Sequence, residues 1–329
     1  MARRMIGVEI GSHTIKLALI SGGTIRKMSV EPMPTDLVRE GRATSAAALA
    51  DFLKGMMKRS GIRGGACALV LPRALVIAHH VTMPRMSDPE LRLNLPFEFR
   101  DFVGRDASKY DYDYAVLDIR DNTMELYAAA VPRDAVEEYG AILRRAGLKL
   151  KIATPAEMAW ANLIRHNPGL PRKLCIVDVG HQSTRVNIFA EGNFVMGKDI
   201  DIAGAFFDET IAKAQQVDIH TARKQKECDL QQAREALEEA CRALAVEVVK
   251  ILNFYGYTDP SRESPLEHLY CGGGASVIEP LQTALHSSTG LTIHPISRLT
   301  EPEDAQNHPA LYCLSAAGAA LQQEQGVRK

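Results

Sequence analysis

The chain has 329 residues, which at about 100–200 residues per domain predicts two domains. Hydrophobic residues make up 46% and charged residues 24%, with 24 Gly and 16 Pro, a balance that excludes disordered, collagen-like and disulfide-scaffold classes. Lys and Arg total 39 against 40 Asp and Glu, so a net charge of −1 provides no overall field toward nucleic acid or anionic lipid.

The first apolar run is broken by Glu9, Ser12, His13 and Lys16, which argues against a signal peptide or a spanning helix. Ile6 to Ile20, IGVEIGSHTIKLALI, reads as an apolar strand, a tight Gly-Ser-His-Thr turn and a second, alternating strand. His79 and His80 are adjacent and so point to opposite faces of a strand, a poor arrangement for zinc. Ser87-x-x-Glu90 has capping-box form and predicts a helix start, with Pro96 kinking or ending that helix. Two strands around Asp-Asn-Thr follow, then a helix from about Asp134 to Arg145.

Cys175 to Phe189, CIVDVGHQSTRVNIF, repeats the pattern of the first hairpin about half a chain later. Glu9-Ile10-Gly11 answers Asp178-Val179-Gly180, and Thr14 answers Thr184 if one inserted residue is allowed. Such turns suit phosphate: glycine admits close backbone approach, N–H groups and hydroxyls donate to oxygens, and a strand-end acid holds Mg²⁺ through water. Each turn taken alone is equally that of an ordinary hairpin. The near-match to a phosphate loop at Gly192 to Lys198 is rejected, because Asp199 stands where a hydroxyl is needed; Gly192-Asn193 reads as a hairpin turn.

Gly204 precedes Asp208 at a helix entry, where N–H groups could meet a terminal phosphate. Leu230, Leu237, Cys241, Leu244, Val248 and Leu252 then share one face of a long core-packed helix. Gly272-Gly273-Gly274-Ala275 joins a strand to a helix-like stretch and would let a flat ring or a phosphate lie on bare backbone; Val277 spoils a dinucleotide fingerprint. The six cysteines form no C-x-x-C pair and fit buried thiols in a reducing cytoplasm.

Acid-Gly hairpin, second acid-Gly hairpin, G-x-x-x-D helix entry, long helix and strand-GGG-helix, in that order, resemble the nucleotide site of the actin-like ATPase superfamily. IAGAFFDETI is similar to the matching segment of rod-shape actin homologues and heat-shock chaperone ATPases. The stretch between the hairpins, with its VPR…AGL ending, is similar to the extra subdomain of the cell-division FtsA family and, more closely, of the type IV pilus assembly protein PilM family. IGVEIGSHTIKLALI and EVVKILNFY carry the same resemblance, which spans nearly the whole chain.

The resemblance implies an α/β, two-lobed actin-like ATPase fold, with duplicated RNase H-like lobes and an FtsA-type subdomain inserted in the first. Its expected bounds are 1–82 for the first lobe (subdomain 1A), completed by 153–170 and 314–329; 83–152 for the insert (1C); 171–202 with 251–313 for the second lobe (2A); and 203–250 for subdomain 2B. It implies ATP and Mg²⁺ as cofactors. Gly11, Ser12, His13, Thr14 and Lys16 would form one phosphate loop, and Gly180, Gln182, Ser183 and Thr184 the other. Gly272, Gly273, Gly274 and Ala275 would face the adenosine and Gly204 the terminal phosphate, with Glu9 and Asp178 serving the metal and Asp178 the candidate to order an attacking water.

Glu9 replaces the family's Asp, His13 and His181 fill positions usually given to small residues, and Ala205 replaces a common Gly, which together imply weak or no hydrolysis. The expected function is an ATP-binding cytoplasmic scaffold of a type IV pilus or related secretion machine. It would dock the cytoplasmic N-terminal peptide of a PilN-like inner-membrane partner in a groove between the first lobe and its insert. The alternatives are a small-molecule kinase of the same superfamily and an FtsA-like filament-forming ATPase. The tail LSAAGAALQQEQGVRK lacks bulky apolar anchors, so membrane attachment is expected only through the partner, at the cytoplasmic face of the membrane.

Overall fold

The computed structural model describes residues 4–34, 36–228, 230–258, 265–276, 278–300 and 310–322. The chain forms two compact units, residues 1–162 with 315–329 and residues 163–314.

Unit 1 opens with an antiparallel meander of β1 (Arg4–Ile10), β2 (Thr14–Ser21) and β3 (Thr24–Pro32), whose alternating Ile6, Val8, Ile15 and Leu17 enter one core. A short ribbon of β4 (Val38–Arg39) and β5 (Arg42–Ala43) leads to α1 (Ala46–Ser60), where the Ser45 hydroxyl accepts from the Ala48 N–H. Strand β6 (Gly65–Val70) then pairs parallel to β1.

The chain next builds a separate three-stranded antiparallel sheet from β7 (Ile77–Pro84), α2 (Asp88–Glu98), α3 (Arg100–Val103), β8 (Tyr110–Arg120) and β9 (Thr123–Pro132), in the order β7-β9-β8. The capping box forms: the Glu90 carboxylate accepts from the Ser87 N–H at 2.8 Å. Helix α2 continues through Pro96 and breaks at Phe99, because Leu95 and Phe99 are pulled under the sheet against Val81 and Leu126.

Helix α4 (Arg133–Arg145) and β10 (Leu148–Thr154) return to the first sheet, with β10 parallel to β6. The insert sheet therefore starts at Ile77, and α4 and β10 are not part of it, unlike the 83–152 expected from sequence. The physical reasons are that β7 is needed as a ladder partner of β9, and that Tyr139, Ile142 and Leu143 of α4 bury in the core of the first sheet.

After α5 (Ala156–His166), unit 2 repeats the plan: β11 (Lys173–Val179), β12 (Thr184–Ala190) and β13 (Asn193–Ile200) form a meander. Helices α6 (Gly204–Gln215), α7 (Ile219–Cys228) and α8 (Leu230–Thr258) follow, then β14 (His268–Gly272), α9 (Glu279–Thr289) and β15 (Thr292–Pro295). The two sheets, β3-β2-β1-β6-β10 and β13-β12-β11-β14-β15, share one topology of three antiparallel then two parallel strands, which accounts for the repeated hairpin pattern. Leu237, Cys241, Leu244 and Val248 of α8 lie in the unit 2 core as the spacing predicts; the side chain of Leu230 is outside the described residues. The glycine run leads into a turn, and α9 begins only at Glu279.

The C-terminal segment is a core element: α10 (Ala310–Leu321) buries Ala316, Ala317, Ala319 and Ala320. A Cβ on Gly7 would lie 1.7 Å from the Ala316 carbonyl oxygen, and one on Gly318 would lie 2.0 Å from that of Ala159, so α10 rests backbone to backbone on β1 and α5. Cys67, Cys175, Cys241, Cys271 and Cys313 are buried thiols, and burial pushes Cys67 up to about 12. No helix among the described residues is long and apolar enough to cross a membrane.

Gly318→Ala and Gly7→Ala should each lower the urea midpoint by the equivalent of about 1–3 kcal/mol or more, since neither contacting backbone can yield. A second measurement concerns His79, whose ring centroid lies 4.7 Å from those of both Phe99 and Phe102. Burial holds its pKa below 6.5 against the pull of Glu98. The unfolded chain protonates first, so the stability His79 contributes is complete above about pH 6.5 and declines as pH falls below it. Unfolding curves between pH 8 and 5 should show this loss in wild type and a smaller one in His79→Leu.

Candidate functional site

In unit 1 the β1–β2 turn is closed by the Gly11 N–H donating to the Thr14 carbonyl at 3.0 Å. Ser12 and His13 stand exposed at its tip, and the His13 carbonyl accepts from Met33 at 2.8 Å, fastening the turn just past the end of β3. Strand register sets Glu9 opposite Lys16, and Lys16 Nζ lies 2.5 Å from Glu9 Oε1. The Ser315 hydroxyl of α10 donates to Glu9 Oε2. Both oxygens of the acid expected to serve a metal are thus committed to groups of the chain itself.

In unit 2 the β11–β12 turn is closed the same way, Gly180 N–H to Ser183 carbonyl at 3.1 Å. A Cβ on Gly180 would press to 2.8 Å from that carbonyl oxygen, so the turn demands glycine. The Gly180 and His181 carbonyls accept from the N–H groups of Gly204 (3.0 Å) and Ala205 (2.7 Å), at the start of α6. Two amides that a helix start leaves without intrahelical partners are therefore spent on the turn. The Gly204 N–H is among them, so its contribution is close packing under the turn and not a donor aimed outward.

Helix α6 is anchored in turn by Asp208, which is 1% exposed. Arg223 Nε lies 2.9 Å and Lys226 Nζ 2.5 Å from its carboxylate, and Lys226 also donates to the Gly204 carbonyl at 3.1 Å. Burial of a carboxylate is tolerated here because two cations from α7 meet it.

The glycine run completes this half. Asp178 sits in register with Gly272, and Gly273 takes a positive φ of 90°. A Cβ on Gly273 would stand 2.5 Å from Asp178 Oδ1 and 2.4 Å from the Val179 carbonyl oxygen, to which the Ala275 N–H donates at 3.2 Å. The run folds over the end of β11 against the Asp178 carboxylate. Gly274 is left with bare backbone, its nearest neighbour on the Cβ side being the Tyr312 ring at 4.0 Å.

The two turns correspond without an insertion. Each spans three residues from glycine N–H to carbonyl, so Thr14 answers Ser183, and Lys16 answers Arg185 just as Glu9 answers Asp178. The alignment of Thr14 with Thr184 is therefore corrected. Thr184 is fully buried and its hydroxyl donates to the Ile202 carbonyl at 2.7 Å, which makes it a fastening of the sheet. Sequence reasoning missed Arg185, which lies 3.4 Å from Asp199; the signal was available in strand register, since Asp178 and Arg185 pair as Glu9 and Lys16 do.

Chemically, each unit offers an exposed turn with backbone and side-chain donors (Ser12 and His13; Gln182 and Ser183) above a strand-end acid and a cation directly across from it. Such a set accepts anionic oxygens. No group of three or more His, Cys, Asp or Glu residues able to hold a metal occurs among the described residues.

Residues 7–308 match the family described as type IV pilus assembly protein PilM. The chain belongs to this PilM family. Among solved structures, a PilM–PilN type IV pilus biogenesis complex is similar over 96% of this chain and 97% of that one, with TM-score 0.82 and 22% identity. The ethanolamine utilization protein EutJ from Carboxydothermus hydrogenoformans is similar over 97% and 89%, with TM-score 0.62 and 16% identity. MreB 5 of Spiroplasma citri bound to AMPPNP is similar over 96% and 94%, with TM-score 0.54 and 14% identity. At such identities the likeness is one of fold, and that fold is the actin-like one. No curated protein sequence matches the chain.

For this PilM-family chain, Asp208→Ala should leave Arg223 and Lys226 facing each other without a counter-charge and cost about 3–5 kcal/mol. Hydrogen exchange should register the loss first at the amides of α6 and α7.

Proposed function

We propose that this protein is a nucleotide-binding scaffold of a type IV pilus assembly machine, taking Mg-ATP on its glycine turns and docking a PilN-like inner-membrane partner. The observation that carries it is the match to the PilM family over residues 7–308 together with the same glycine-closed turn in both units.

Gly11, Ser12, His13, Thr14 and Lys16 in unit 1, with Gly180, Gln182, Ser183 and Arg185 in unit 2, would hold phosphate oxygens. Gly272 to Ala275 would face the adenosine. Mg²⁺, when bound, would neutralise phosphate charge; a hard cation held largely by water and phosphate needs only one or two protein carboxylates. Asp178, against whose carboxylate Gly273 packs closely, would take that role, with Glu9 as the second acid. Glu9, engaged by Lys16 and Ser315, is poorly placed to serve as a general base, which favours slow turnover.

The partner reading rests on the family and on likeness to the PilM–PilN complex. Attachment to a membrane would run through that partner, since α10 is buried among β1 and α5. Neither the small-molecule kinase nor the filament alternative draws specific support from these features.

Calorimetry with Mg-ATP should show binding that weakens at least tenfold in Asp178→Ala, with phosphate release far below the roughly 10 per second typical of enzymes. Absence of binding at millimolar ATP would remove the nucleotide role and leave the docking role standing. A synthetic cytoplasmic tail of the pilus partner should bind the wild type, and anionic liposomes alone should not.

A further inference from the structure

Along the outer edge of the unit 2 sheet runs a groove that none of these roles uses. Strand β13 is the outermost strand in the order β13-β12-β11-β14-β15, so one row of its backbone N–H and C=O groups has no strand partner among the described residues. Beside it lies the C-terminal half of α8. Met196, Ile200, Ile202, Ile251 and Phe254 line a cavity of about 510 Å³ between strand and helix. Phe254 keeps 57% of its surface exposed there.

The charges around the groove are not random. Glu247 and Lys250 pair at 2.6 Å, and Asp199 lies 3.4 Å from Arg185. Lys198 and Asp201 also line the cavity, and among the described residues neither has an ion-pair partner. They are three residues apart, about 10 Å in extended chain. Met196 and Lys198 pair with Ile188 and Val186, whose side chains lie in the core beneath α8, so even-numbered residues of β13 face the groove.

We propose that the groove is a docking site for an extended segment of a partner protein, added antiparallel to β13. Main-chain bonds to the open edge supply affinity, and alternate side chains supply specificity. Register then sets the recognised pattern. Reading from its N-terminus, the segment carries a basic residue beside Asp201 just past the end of β13, an apolar one opposite Ile200, any residue, an acidic one opposite Lys198, any residue, and an apolar one opposite Met196. Its apolar residues share the face that looks into the cavity lined by Ile251 and Phe254. A second copy of β13 cannot meet this requirement. Residues directly opposite in an antiparallel pair share a face, and Met196, Lys198 and Ile200, which share one face of β13, include no acid to meet Lys198.

The test is selection of a random dodecapeptide library on the full-length protein, followed by anisotropy titration of the winners. Enriched peptides should show the basic–apolar–x–acidic–x–apolar pattern and should slow hydrogen exchange at β13. Lys198→Glu should weaken them tenfold or more, and exchanging their acidic residue for Lys should restore binding to that variant. Phe254→Ala should weaken binding without altering the charge preference. Both substitutions are at exposed positions, so the fold should persist, as circular dichroism can verify. The proposal is overturned if no peptide enriches, or if the winners bind Lys198→Glu and Phe254→Ala as tightly as wild type. It is overturned in favour of self-association if the protein alone sediments as a dimer that Lys198→Glu dissociates.

Discussion

The arrangement of unit 2 depends on one backbone exchange: the carbonyls of Gly180 and His181 accept from the first N–H groups of α6, Gly204 and Ala205. The turn gains a fixed shape because its outward carbonyls are held from below. The helix gains partners for amides that would otherwise need water. Two glycines permit it, since Gly180 admits the Ser183 carbonyl and Gly204 lets α6 approach the turn, where a Cβ would stand 3.2 Å from the Gly180 oxygen. The positive end of the α6 dipole is thereby aimed at the turn, which favours negative charge nearby. The Asp208 cluster keeps α6 in place by tying it to α7.

Unit 1 reaches a similar turn with different support. Among the described residues no helix start donates to it; the His13 carbonyl is instead held by Met33, and the strand-end acid is held by Lys16 and by Ser315 of α10. The last described helix of the chain therefore determines the state of a carboxylate near its beginning. The duplicated halves differ in consequence: Glu9 meets Lys16 and Ser315, whereas Asp178 is packed closely by Gly273, where a Cβ would stand 2.5 Å from its Oδ1.

Much of this was readable before any coordinates. The two hairpins, the capped helix at Ser87, the long α8 core stripe and the buried cysteines follow from periodicity and turn chemistry, which are local. The extent of the insert was not, because the membership of α4 and β10 is decided by which sheet Tyr139, Ile142 and Leu143 bury against. The matching of Thr14 with Thr184 failed because sequence alignment rewards identity, whereas a turn is defined by which carbonyl its glycine N–H reaches. Arg185 escaped notice for the same reason, and so did the commitment of Gly204.

The sequence by itself determined the repeat, the glycine turns, the acid at the end of each first strand and the family, because these reside in residue type and spacing along the chain. Only the tertiary structure decided which donors remain outward. Burial took Thr184 into the sheet, α6 claimed the turn carbonyls, and α10 brought Ser315 to Glu9 from more than 300 positions away. Each of these is a contact between segments remote in sequence. No pattern within either segment encodes the distance between them, and packing alone sets which polar groups are used internally and which are left for a ligand.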